Sequence, residues 1–173
     1  TRLLPGVTVE DLTPRDAAGV VGEVGAAWEA LADVDITAIS GFGDFDANGT
    51  APAESWRAVL VTTLESPQPV DDDLALETYA GLVERCPEER SLVHGDFGAN
   101  NVLVHDGAVS GILDWELALV GDPLYDVGIA RFWATSLQSM AYQAAHFDRT
   151  LSGLDYHERV LCYALRIGLE EAR

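Results

Sequence analysis

The chain has 173 residues, and its 29 acidic residues outnumber 10 basic ones, all of them Arg, for a formal net charge of −19. With 48% hydrophobic residues it is long enough to bury one substantial core, so a single domain over 1–173 is expected. A field of that sign repels nucleic acid and anionic membranes, and no apolar run reaches membrane-spanning length, so neither is an expected partner.

In chain order, Thr13-Pro14-Arg15-Asp16 reads as a helix start: Thr13 caps, Pro14 fits the first turn, and Asp16 sits where a capping-box acid belongs. Val20, Val24, Trp28 and Leu31 then repeat at helical spacing, which predicts a helix to about Ala32. Residues 39–53 are rich in Gly and Asp and read as a loop. Two decoys lie in it. Gly41-Phe42-Gly43 lacks the third Gly of a phosphate loop. Asp44-x-Asp46-x-Asn48-Gly49 begins like a calcium loop, but Ser55 stands where a bidentate Glu is needed, so a solvated turn is expected.

Trp56, Val59, Leu60, Thr63 and Leu64 form a second amphipathic pattern. Asp71-Asp72-Asp73 open a third, lined by Leu76, Tyr79, Leu82, Val83 and Cys86 and stopped by Pro87. Beyond Pro123, helical patterns run over about 124–137, 138–151 and 155–172. Cys86 and Cys162 lie far apart and make no sequence motif for metal or redox work; they are expected as reduced core or near-core residues of a cytoplasmic protein.

The most informative stretch is Leu92–Asp114. An apolar approach delivers His94-Gly95-Asp96, Asn101 follows five residues after the Asp, and Asp114 thirteen after Asn101. Between the last two, Val102 to Leu113 reads as a hairpin with His105-Asp106-Gly107 at its turn. With Asp106 and Gly107 as a two-residue loop, His105 faces Ala108, Asn101 falls opposite Ile112, and Asp114 is one diagonal step away. That folds two oxygen-bearing side chains together near Asp96. A hard cation such as Mg²⁺ takes such a cluster, with positions left for phosphate and water, and an adjacent Asp can accept a proton from an attacking hydroxyl. The plainer alternatives are a turn-capping carboxylate for Asp96 and a turn-forming Asn for Asn101.

His94-Gly95-Asp96-x-x-x-x-Asn101 followed by Ile112-Leu113-Asp114-Trp115 resembles the aminoglycoside phosphotransferase family of small-molecule kinases. Protein kinases, to which that family is related, carry an Arg where Gly95 stands and Asp-Phe-Gly where Leu113-Asp114-Trp115 stands. Both departures resemble the antibiotic-kinase branch, as do Ser40-Gly41-Phe42-Gly43, the run from Asp96 to Leu103, and Leu165-Arg166-Ile167-Gly168-Leu169. The likeness implies an α+β, mostly helical fold: a protein-kinase-like C-terminal lobe with a small β-hairpin carrying the metal ligands.

It also implies roles. Asp96 is the catalytic base, and Asn101 and Asp114 are the Mg²⁺ ligands. His94 braces the loop by hydrogen bonding, and Asp126 pins it through backbone hydrogen bonds. Asn100 touches substrate or shapes the turn. Glu116 and Asp122 face an acceptor pocket or are surface carboxylates, and Trp133, with Trp115, walls that pocket or belongs to the core. The cofactors are Mg²⁺ and ATP; the partner is a small-molecule hydroxyl acceptor.

The family holds ATP phosphates with a Gly-rich loop and a Lys in a small N-terminal lobe. This chain has no Lys, and Leu4-Pro5-Gly6 resembles the segment at the family's interlobe hinge. The expectation is a C-terminal lobe whose N-terminal ATP lobe is missing from the chain, with the isolated chain inactive. Other acceptors remain open (choline, homoserine or a sugar), as does a non-catalytic binding domain that keeps the motif. The acidity suits a cationic aminoglycoside, but the Asp71–Asp73 run and scattered carboxylates favour adaptation to high salt for most of it, since charge beyond a Debye length of roughly 8–10 Å selects no substrate.

Overall fold

A computed structural model describes residues 3–65, 73–153 and 155–172. Among these residues the chain forms a mostly helical α+β structure with six helices and two small antiparallel sheets. Helix α1 spans Pro14–Ala32. Thr13 is extended and accepts from the Asp16 amide, while its hydroxyl donates to the Asp16 carboxylate at 2.7 Å, which closes a reciprocal cap. The periodic Val20, Val24, Trp28 and Leu31 are all buried.

Helix α2 spans Trp56–Glu65 and α3 spans Asp73–Val83. The expected start of α3 at Asp71 and Asp72 lies outside the described residues. Its end falls short of Cys86, because single turns from Arg85 to Leu82 and from Cys86 to Val83 replace the helical ladder. Helices α4 (Leu124–Trp133), α5 (Gln138–Thr150) and α6 (Tyr156–Glu171) complete the set. Gly128 lets α4 lie against α6: an added Cβ there would sit 2.5 Å from the Tyr163 Cβ. The aromatic core continues through Trp56, Tyr125 and Tyr163, with ring centroids 5.7–6.0 Å apart.

One sheet orders β1 (Val7–Thr8), β4 (Val102–His105) and β5 (Ala108–Ile112); the other orders β2 (Gly43–Asp44), β6 (Leu119–Gly121) and β3 (Ser91–Val93). The 39–53 segment, expected as plain loop, contributes β2 and an antiparallel bridge between Phe42 and Ala53. Its calcium-like half-motif is a self-capped turn. Asp46 accepts from the Asn48 and Thr50 amides at 2.8 and 2.9 Å, and those bonds hold its carboxyl below the usual range.

The hairpin corrects one expectation. Asp106 and Gly107 both take positive φ in a two-residue loop, and His105 faces Ala108. A bulge then leaves Ser110 without a partner on β4, so Ile112 faces Val102 rather than Asn101. One extra residue on one strand moves everything beyond it by a step. The Leu113 amide therefore donates to the Asn101 carbonyl at 2.8 Å, and Asp114 leaves the strand immediately afterwards at φ 57°.

Candidate active site

Strand β3 delivers His94, Gly95 and Asp96 to the open end of the sheet. The turn is tight: Gly95 has φ 81°, and a Cβ there would lie 1.9 Å from the Leu117 carbonyl oxygen. Asp126, fully enclosed in the first turn of α4, accepts the His94 amide at 3.1 Å on one oxygen and the Gly95 amide at 3.0 Å on the other. Burial pushes its carboxyl up to about 7, against the pull of those two donors.

His94 is wholly buried and joins two separate segments. Its Nε2 lies 2.8 Å from the Leu113 carbonyl oxygen, and its Nδ1 accepts from the Asp96 amide at 3.3 Å. An accepting Nδ1 requires the neutral tautomer protonated on Nε2, which burial also favours by lowering the imidazole pKa. The ring also contacts Trp115, with centroids 4.7 Å apart. The residue before Asp114 is thereby tied to the residue before Gly95, which a proton-shuttling histidine could not do while titrating.

Asp96 is half-buried. One of its carboxylate oxygens accepts from Asn101 Nδ2 at 2.8 Å, and the same nitrogen donates to the Asp96 carbonyl at 2.9 Å. Burial raises the Asp96 carboxyl, the Asn101 bond works against that, and the Asp114 charge adds to the rise. Asn101 Oδ1 accepts from Asn100 Nδ2 at 3.2 Å. Asp114 is exposed at the end of the hairpin. The charge of Asp114 reaches Asp96, and the amide oxygen of Asn101 and the two carboxylates are hard oxygens of the kind that could hold Mg²⁺. Among the described residues no three His, Cys, Asp or Glu side chains cluster as a self-sufficient cage. His105 sits at the far hairpin tip beside Asp106.

A cleft of about 410 Å³ opens on Asp96 and is lined further by Asn100, Trp133, Glu10 and Glu171. Asn100 and Trp133 thus reach the cavity, whereas Glu116 is exposed and not part of its lining. Asp122 is a correction. It is fully buried, receives Arg159 on both oxygens at 2.8 and 2.7 Å, is hydrogen-bonded by the Tyr163 hydroxyl, and caps the Leu124 amide at 2.9 Å. With both oxygens engaged at the start of α4, it faces no acceptor. Glu10 and Glu171 were not legible as site residues. They lie near opposite ends of the chain, in no motif, and meet Asp96 only through the fold.

The model of the phosphotransferase enzyme family matches residues 1–161, and the chain belongs to that family. Among individual relatives it is 35% identical over 182 residues to the hygromycin-B 4-O-kinase of Escherichia coli, covering 99% of this chain and 53% of the relative. It is 32% identical over 136 residues to a homoserine kinase of Gluconacetobacter diazotrophicus, covering 75% of this chain and 40% of that protein. A thermostable mutant of aminoglycoside phosphotransferase APH(4)-Ia, solved in ternary complex with ADP and hygromycin B, superposes with a TM-score of 0.88 at 35% identity, over 98% of this chain and 61% of its own. The chain therefore spans about two-fifths to three-fifths of the length of these kinases.

Proposed function

We propose that this chain is the C-terminal catalytic and acceptor-binding lobe of an ATP-dependent O-phosphotransferase, acting on a hydroxyl of a small cationic acceptor of the aminoglycoside type. The observation that carries the reading is Asp96: one carboxylate oxygen is fastened by Asn101, and the residue opens onto a cleft edged by Glu10, Glu171 and Trp133. The free oxygen orients the acceptor hydroxyl and takes its proton as transfer proceeds; burial raises its basicity toward the working pH. His94 and Asp126 hold the loop so that this oxygen keeps its place. Asn101 and Asp114 are the residues to hold Mg²⁺, which when bound with ATP neutralises phosphate charge. Glu10 and Glu171 attract ammonium groups, and Trp133 offers a flat face to a sugar ring. The phosphate-binding Lys belongs, in this reading, to the ATP lobe that this chain does not include.

A second reading keeps the chemistry and changes the acceptor. The likeness to a homoserine kinase favours a metabolite kinase of the homoserine, choline or sugar type. Calorimetric titration separates the two. The chain is expected to bind Mg·ATP at millimolar strength or worse, about 4 kcal/mol, because it supplies no Lys to the phosphates. Hygromycin B should give a binding heat that Trp133→Ala removes. Heat with homoserine or choline instead would select the second reading, and micromolar Mg·ATP binding would overturn the lobe assignment.

A further inference from the structure

We propose that Met140 and Gln143, on one face of α5, are positioning residues for the transfer: by gripping the backbone at Phe97 and Ala99 they hold Asp96 and Asn101 at their working distance. The inference rests on the reading of Asp96 as the base. Between β3 and β4, the segment that carries both residues belongs to no helix or strand, so no ladder fixes its course. Two of its bonds are internal: the Gly98 amide donates to the Asp96 carbonyl at 2.7 Å, and the Asn101 amide to the Gly98 carbonyl at 3.0 Å. Two further backbone groups turn outward to α5. The Ala99 amide donates to the Met140 sulfur at 3.2 Å, and Gln143 Nε2 donates to the Phe97 carbonyl at 3.2 Å. Met140 and Gln143 stand three residues apart, which places them on one side of the helix. Both are buried, as are Phe97 and Ala99.

The helix that grips the loop is itself held from behind. Phe147, one turn beyond Gln143, packs on Trp28 of α1 with ring centroids 5.2 Å apart. At the far side of the loop, Asn101 Nδ2 donates to the Asp96 carbonyl at 2.9 Å and to its carboxylate at 2.8 Å, joining the two ends of the segment across its middle. That middle is what α5 fastens. A buried amide or carbonyl left without a partner costs more than a hydrogen bond gains. Losing either side chain therefore drives Phe97 or Ala99 toward other partners and pulls Asn101 away from Asp96. The thioether is a weak acceptor, but Met140 also lines the cleft beside Asp96. On the functional reading, the side chain that meets the acceptor is also one that fastens the loop.

The test is NMR of the isotope-labelled chain at neutral pH, without nucleotide or acceptor, reading the side-chain amide of Asn101. Gln143→Met keeps the length and removes the donor; Met140→Leu keeps the apolar bulk and removes the acceptor. Each should speed water exchange of the Asn101 side-chain protons by about tenfold or more and move their shifts toward those of a free amide, while the backbone amides of α6 keep their wild-type rates. Met140 is the chain's only Met, so norleucine in its place exchanges a single sulfur for a methylene. That replacement should speed exchange at Ala99 and Asn101 in the same way, and it decides the case if either variant fails to fold. Wild-type shifts and exchange at Asn101 in folded variants would overturn the proposal. So would a rise of equal size throughout α6, which would mark the two residues as general packing. The functional reading fails separately, through an absent hygromycin B heat, since no ligand enters this measurement.

Discussion

At Asp96 one carboxylate oxygen accepts from Asn101, and the proposed reaction gives the other to the acceptor hydroxyl. Asp96→Asn keeps the size and removes the basicity. On the proposed function, in a protein that joins this chain to an ATP lobe, it should lower kcat by roughly 10²-fold or more and leave the KM for ATP nearly unchanged. Asp114→Ala should instead abolish Mg²⁺-dependent turnover, because phosphate charge goes unneutralised. Steady-state kinetics at saturating Mg²⁺ checks both, and near-normal kcat in either variant would reverse the role assignment. Asp126 gives a pH signature of its own. Its folded carboxyl titrates near 7 and an unfolded one near 3.8, so between those values the folded state holds the extra proton. Stability from this residue is therefore greatest at low pH and falls as pH rises through 7. Asp126→Asn removes that dependence. Urea unfolding of the two proteins from pH 4.5 to 8 should show wild type losing ground to the variant as pH rises, by on the order of a few kcal/mol. His94 works in the other direction. Burial disfavours its cation, so its share of stability is present above the unfolded pKa of 6.5 and is lost as pH falls below it. A pH-independent difference between wild type and Asp126→Asn would mean that the two backbone amides keep Asp126 ionised throughout.

At the scale of elements, the helices follow from local chemistry and the strands do not. Thr13, Pro14 and Asp16 suffice to start α1, because the cap is made by neighbours in sequence. Thr13→Ala removes the side-chain acceptor for the Asp16 amide and should cost about 1 kcal/mol, or roughly 2–4 °C in Tm. A calorimetric scan with unchanged Tm would show that packing of Val20, Val24 and Trp28 holds the helix without its cap. The start of α2 is different. Ser55 caps it locally by accepting the Ala58 amide at 3.0 Å, and Glu88, across the fold, accepts the Trp56 and Arg57 amides as well. Strands β1, β2, β3 and β6 have only two or three residues each, too few for an alternating pattern to stand out from chance. The hairpin turn was legible in Asp106-Gly107, since both positions need positive φ. The bulge at Ser110 was not, because a register shift depends on the partner strand and on the Ser110 hydroxyl, which donates to the Pro5 carbonyl at 2.6 Å.

At the scale of the molecule, charge dominates. Arg57, Arg85, Arg131, Arg159 and Arg166 each pair with one or more carboxylates, and even full pairing of all 10 Arg would leave 19 of the 29 acidic residues uncompensated. Their mutual repulsion favours the expanded chain and is screened by salt. Tm should rise as NaCl goes from about 0.05 M to above 1 M. A flat or falling Tm over that range would favour a chain in which acid is placed for substrate capture, at Glu10 and Glu171 beside Asp96, rather than spread over the surface.

The sequence by itself determined the spacing of His94, Asp96, Asn101, Asp114 and Asp126, the six helical patterns and the turn at Asp106-Gly107, because each is a local property: a residue type, a period, a backbone angle. Only the tertiary structure decided which groups meet. It buried Asp122 under Arg159 and Tyr163, brought Glu10 and Glu171 to the cleft, and fixed through His94 and Leu113 how the two halves of the motif join. Those contacts lie between residues tens of positions apart or more. They form only when the packing of α4 on α6 and the shifted hairpin register set the distances, and no pattern along the chain carries that information.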